Sequence, residues 1–189
     1  MKKQQNTFLA MLDLLNVKHT NDFSNRFFNE HPHKHNLYGL SKMLSDYGIS
    51  NAATRIEEKE SDLANIELPF VAQVGGDFVV VYKVISPTPN LSKREGGPPL
   101  SGELEGAVHF LRNGQKLSIP VSQFIQSWSG VILLAETSPE SCEPDYREHR
   151  IKDLLNTVQL SILAIAVALV SLQSYNEQFK FGEWLQTAG

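Results

Sequence analysis

One cysteine, Cys142, stands in a chain of 189 residues. That count excludes an intrachain disulfide, a Cys-x-x-Cys redox pair and a cysteine-based zinc site, and it points to a reducing compartment. Basic charge is also short: 17 Lys and Arg against 21 Asp and Glu leave a formal charge of −4. No Lys/Arg cluster reaches the density of a phosphate-binding face, so nucleic acid is not expected as a partner. Nor does the amino terminus read as a secretory signal. Met1-Lys2-Lys3 is basic, but the apolar run from Phe8 is short and broken by Asp13. What is present suits a packed core, with 41% hydrophobic and 20% charged residues. The length gives room for one domain and a short appendage.

The first half reads as helical. Phe8, Leu9, Met11, Leu12 and Leu15 make one apolar face; Phe23, Phe27 and Phe28 make a second, with Asn21-Asp22 as expected amino-terminal caps. Asn36 caps a third helix, whose Leu37, Leu40, Leu44 and Tyr47 fall at spacings of three and four before Gly48. A short helix is expected over Ser61–Ile66. Strand chemistry follows. Phe70–Val74 and Phe78–Val84 are apolar and β-branched, and Ala107–Arg112 and Gln115–Ile119 flank the hairpin dipeptide Asn113-Gly114. Val121–Ser127 reads as a helix and Gly130–Ala135 as a closing buried strand. Residues 86–106 hold four of the nine prolines and four of the twelve glycines, the composition of an exposed loop.

Past Glu136 the character changes. Residues 137–153 read as a polar linker and 154–176 as a transmembrane helix, with 177–189 as a short tail. The 23 residues Leu154–Asn176 carry no formal charge. Eight Leu, Ile and Val side chains in Leu160–Leu172 favour insertion by roughly −3 kcal/mol, before the cost of Gln159, Gln173 and three serines. The 18 residues Val158–Tyr175 span about 27 Å as a helix, slightly short of a typical hydrocarbon core. Arg147, Arg150 and Lys152 precede the segment and only Lys180 follows it, so the large domain is expected in the cytoplasm. Phe179, Phe181 and Trp184 are candidates for an aromatic anchor. Ala164 and Ala168, small and four apart, are candidates for helix-mediated association.

Four pieces in this order resemble the amino-terminal peptidase domain of bacteriocin-processing ABC transporters, a papain-like fold that cuts leader peptides after a double glycine. FLAMLDLL resembles its nucleophile helix, and LYGLSKMLSDYGI a later helix ending in Gly. ELPFVAQVGGDFVVV resembles its Pro–strand–turn–His–strand signature, and VSQFIQSWSGVILLAE its closing segment, here with Phe124, Trp128 and Gly130. Together they cover about Phe8–Glu136. Finer likeness (HT-x-x-F-S, EHP-x-x-x-NLYGLSKMLSDYGI, WSGVILLAE and Glu143-Pro144-Asp145-Tyr146) is to a branch fused ahead of a vitamin K epoxide reductase-like membrane domain and often a thioredoxin domain, mainly in Bacteroidetes-type bacteria. The resemblance therefore implies an α+β papain-like domain, 1–136, at a bacterial inner membrane. Further membrane helices of that branch are expected to be missing or separately encoded.

The same resemblance implies that the chemistry has gone. It places Gln4 where the nucleophilic cysteine sits and Asp77 where the imidazole sits, while Ser86-Pro87 faintly echoes the orienting acid's Asp-Pro pair. Glutamine cannot attack a carbonyl, and a carboxylate beside a thiol raises its pKa. The expected function is a catalytically inactive, membrane-tethered domain. It would bind a peptide or protein partner near a transporter or a disulfide-forming membrane enzyme, in a groove lined by Gln4, Asp77 and Trp128. Asp77 also reads simply as the start of a strand after a tight turn. Two alternatives remain: the leading fragment of a vitamin K epoxide reductase-like thiol oxidoreductase, and a hydrolase with a non-standard site that uses His109 or Asp77. No cofactor is expected. His31, His33 and His35 alternate with His19 upstream and are metal-ligand candidates, but no carboxylate or cysteine joins them, so a solvated turn is the plainer reading.

Overall fold

The computed structural model describes residues 6–85 and 106–187, with side chains to residue 175. Most of the expected loop over 86–106, with Ser86-Pro87, lies outside the described residues, as does Gln4. The elements run α1 (Thr7–Leu14), α2 (Asn21–Glu30), α3 (Leu37–Asp46), β1 (Ser50–Arg55), α4 (Lys59–Asp62), β2 (Phe70–Val74) and β3 (Asp77–Ile85). They continue as β4 (Ala107–Arg112), β5 (Gln115–Pro120), α5 (Val121–Ser127), β6 (Trp128–Glu136) and α6 (Tyr146–Thr187). Two compact units result, 1–146 and 147–189.

In the first unit an antiparallel six-stranded sheet, ordered β1-β6-β2-β3-β4-β5, carries a core on each face. Alternation along the strands sorts the side chains. Val71, Val80, Leu111 and Leu133 meet α1 and α3, packing on Phe8, Leu9, Leu12, Leu40, Met43 and Tyr47. Phe70, Ala72, Val79, Val81, Phe110 and Ile132 face the other way, onto Leu63, Phe124 and Trp128. Both sheet hairpins close with two residues of positive φ, Gly75-Gly76 and Asn113-Gly114, as tight antiparallel turns require.

Several expectations shift. The α2 cap is Thr20 rather than Asn21-Asp22, and α4 lies at Lys59–Asp62 rather than over Ser61–Ile66. β1 was not anticipated: Ser-Asn-Ala-Ala-Thr-Arg lacks apolar alternation, and its side chains are mostly exposed. It forms because all six residues pair with Val131–Glu136 of β6. The segment 137–146, expected as part of a linker, folds back on the first unit. Ser141 donates to the Gly48 carbonyl at 2.7 Å, Cys142 N–H to the Tyr47 carbonyl and Glu143 N–H to the Lys18 carbonyl. The Glu143 side chain is fully buried and accepts from the Thr20 N–H, the Thr20 hydroxyl and the Ser24 hydroxyl.

The second unit is one helix, and the expected tail continues it to Thr187. Residues 146–175 are long and apolar enough to cross a membrane, and the large apolar side chains from Leu154 to Leu172 are all exposed.

Candidate functional site

The amino terminus of α1 meets the start of β3. Asn6 caps the helix by accepting the Leu9 N–H at 2.9 Å, which satisfies a donor the first turn leaves orphaned. The Thr7 hydroxyl then donates to the Phe78 carbonyl at 2.9 Å, and Asn6 donates to Asn25 of α2 at 3.2 Å. Thiol catalysis needs a nucleophile and a base held within hydrogen-bond reach of each other. Here, among the described residues, the junction is made by Asn6, Thr7, Asn25 and Phe78. Neither a thiol nor an imidazole is present in that set.

Asp77 is placed differently from the groove expected for it. It pairs across the hairpin with Val74, whose side chain belongs to the core on the side away from α1. Its carboxylate is exposed and held by Arg112, whose Nε donates at 3.1 Å and whose Nη2 also binds it. Asp77 therefore sits on the rim of the opposite sheet face, as a partner of Arg112.

Trp128 is not a groove residue at all. Only 1% of its surface is exposed; its ring lies 5.6 Å from Phe124, and its indole N–H donates to the Val131 carbonyl at 3.1 Å. A buried indole needs such a partner, and once satisfied it acts as the keystone of the second core. Lys59 of α4 stands over the same ring and donates to the Trp128 carbonyl.

The other candidates stay apart. His109 lies opposite Lys83 in the β3–β4 ladder, six residues or about 20 Å along the strand from Asp77. The two cannot act as one acid–base pair. The His109 Nε2 is buried without a hydrogen-bond partner among the described residues, and its ring lies 6.2 Å from Tyr82. The histidine turn is held by local contacts: His31 Nδ1 accepts the His33 N–H, and His33 packs against Tyr38 at 5.9 Å. A side chain at Gly39 would collide with the His33 carbonyl, so the turn lies directly on α3. Among the described residues no three His, Cys, Asp or Glu side chains are gathered to hold a metal. Cys142 is exposed and lies beside Lys18 and Tyr47, on the strap after β6.

A concave site does occur at the other end of the sheet, where β1 and β2 begin and β6 ends. It encloses about 420 Å³ between Leu15, Leu68, Pro69 and Leu134, with the exposed carboxylates of Glu67 and Glu136 on its wall. Sequence reasoning missed it, since its lining comes from segments separated by more than a hundred residues.

No family model matches the chain, and no curated protein matches it in sequence. Solved structures do resemble it. A double glycine motif protease from an AMS/PCAT transporter, solved with its leader peptide, superposes with a TM-score of 0.50 at 15% identity, over 70% of this chain and 81% of that one. The peptidase domain of Streptococcus ComA, a bi-functional ABC transporter of a quorum-sensing pathway, gives 0.48 at 9% identity, over 70% and 88%. The first of these shows the fold: an α+β, papain-like architecture of the double-glycine peptidase kind, here followed by one long apolar helix.

Proposed function

We propose that this chain is a membrane-anchored, catalytically silent relative of the double-glycine peptidases that binds a peptide or protein partner instead of cutting it. The observation that carries the reading is the α1–β3 junction, where Thr7 binds the Phe78 carbonyl, while the acid expected in place of the imidazole lies on the opposite sheet face, tied to Arg112. Thiol-peptidase chemistry needs a thiolate, a base and an orienting group together. The one thiol, Cys142, lies on the strap after β6. Binding outlasts such a loss because a peptide-sized seat needs shape and charge, not a nucleophile. The cavity between Leu15, Leu68 and Leu134 offers apolar walls for such a seat, and Glu67 and Glu136 suit a basic side chain. The solved transporter protease holds a leader peptide, which makes leader-type peptides the first ligands to try.

In this reading the domain comprises residues 1 to about 146, and α6 fixes it to the inner face of a bacterial membrane. A transporter or a vitamin K epoxide reductase-like enzyme is the expected neighbour. The alternative role as the leading piece of a thiol oxidoreductase requires a second thiol from outside these 189 residues. Intact chain in detergent micelles should retain double-glycine leader peptides and leave them whole, and Glu67→Lys with Glu136→Lys should reduce retention several-fold. Cleavage of the peptides, or retention no greater than that of scrambled sequences, would end this proposal.

A further inference from the structure

The polar side chains between Thr157 and Ser174 of α6 fall into two groups. The hydroxyls of Thr157, Ser161, Ser171 and Ser174 each donate to the carbonyl four residues back, at 2.8 to 3.0 Å. They need no partner outside the helix. Gln159 and Gln173 are different: both are exposed and neither carboxamide bonds to anything among the described residues. Counted from the middle of Leu154–Asn176, they lie roughly 9 and 12 Å from the centre of the span, inside a half-thickness of about 15 Å. Hydrocarbon offers no donor or acceptor, so each amide is left to find one on a neighbouring helix.

Their spacing selects a face. Gln159, Ala166 and Gln173 are seven residues apart. They fall within about 40° of one another around the helix, the seam of a left-handed pair. The small residue at the middle lets two backbones approach. Ala164 and Ala168 lie about 160° from Ala166, on the opposite side.

We infer that α6 pairs in the membrane with a second copy of itself through the Gln159–Ala166–Gln173 face. The occupant follows from the chemistry. A carboxamide is donor and acceptor at once, so it is complementary to its own copy. Copies of one chain insert in the same orientation, which puts Gln159 beside Gln159 and Gln173 beside Gln173 at equal depths. No heterologous helix is guaranteed to match both. The inference rests on the membrane reading proposed above.

The test uses the full chain in membranes of the expressing cell. With Cys142→Ser as background, Ala166→Cys should give a disulfide-linked species of twice the chain's mass on mild oxidation, whereas Ala164→Cys and Ala168→Cys should not. Adding Gln159→Leu and Gln173→Leu, which keep the helix apolar and foldable, should cut that species roughly tenfold. Crosslinking confined to positions 164 and 168, a heavier product containing another protein, or a doublet unaffected by the leucines would each overturn the pairing. Sodium carbonate extraction separates the two failures. If the chain leaves the pellet, the membrane reading is wrong; if it stays but does not crosslink, only the pairing is wrong.

Discussion

Trp128 and Asp77 show how differently two residues of one suspected groove can act. Trp128 fills the second core, so Trp128→Ala should cost about 3–5 kcal/mol in chemical denaturation, the range for a deleted core aromatic. Asp77→Ala removes only an exposed pair with Arg112 and should cost about 1 kcal/mol or less. Equal losses, or a larger one at Asp77, would contradict this assignment of roles. Tyr47 makes a third case. It is buried, its hydroxyl lies 2.9 Å from the Ser24 hydroxyl, and its pKa is pushed above the ordinary 10.0 chiefly by burial. The Glu143 carboxylate adds to that rise and the Ser24 bond opposes it. A raised acid favours the neutral form in the fold. Its stabilisation is therefore complete below pH 10.0 and is lost as pH climbs above that value, when the unfolded chain ionises first. Stability should fall there by up to about 1.4 kcal/mol per pH unit, and Tyr47→Phe should flatten the slope. Unfolding free energies between pH 9 and 11 decide it.

Among the elements, the strap 137–146 holds more than its composition suggests. Glu143 gathers the Thr20 N–H and hydroxyl and the Ser24 hydroxyl at the start of α2, where a carboxylate also complements the helix dipole. Glu143→Ala strands these donors in a buried place and should cost about 1–3 kcal/mol, with faster amide exchange over Lys18–Ser24. Unchanged exchange in that stretch would show that α2 does not depend on the strap. Such long-range polar docking is invisible in a sequence, where ten mostly polar residues look like a linker. Elements with strong local chemistry were legible: β2, β4 and α5 lie at their expected bounds, the first two set by apolar runs and by the Asn113-Gly114 turn. β1 was not, because its order comes wholly from β6. The site was less legible still. Period-two alternation separates Asp77, Val79 and Val81 from Phe78, Val80 and Tyr82, but both sets are largely apolar. Only the packing of α1 shows which of them faces the helix.

For the molecule as a whole, the proposed anchoring carries a prediction about the side of the membrane that the folded unit occupies. Arg147, Arg150 and Lys152 stand on the domain side of the apolar stretch, and a cluster of that sign resists translocation. The single cysteine makes the matter measurable without any substitution. Cys142 is exposed and lies four residues before α6 begins, so it reports the side on which the domain ends. Intact cells treated with a membrane-impermeant maleimide should leave Cys142 unlabelled, and opening the membrane should bring labelling to completion. Replacing the three basic residues with Gln should weaken the asymmetry and admit label in intact cells. Full labelling of the unaltered chain in intact cells would place the domain outside, and would remove cytoplasmic transport substrates as its partners.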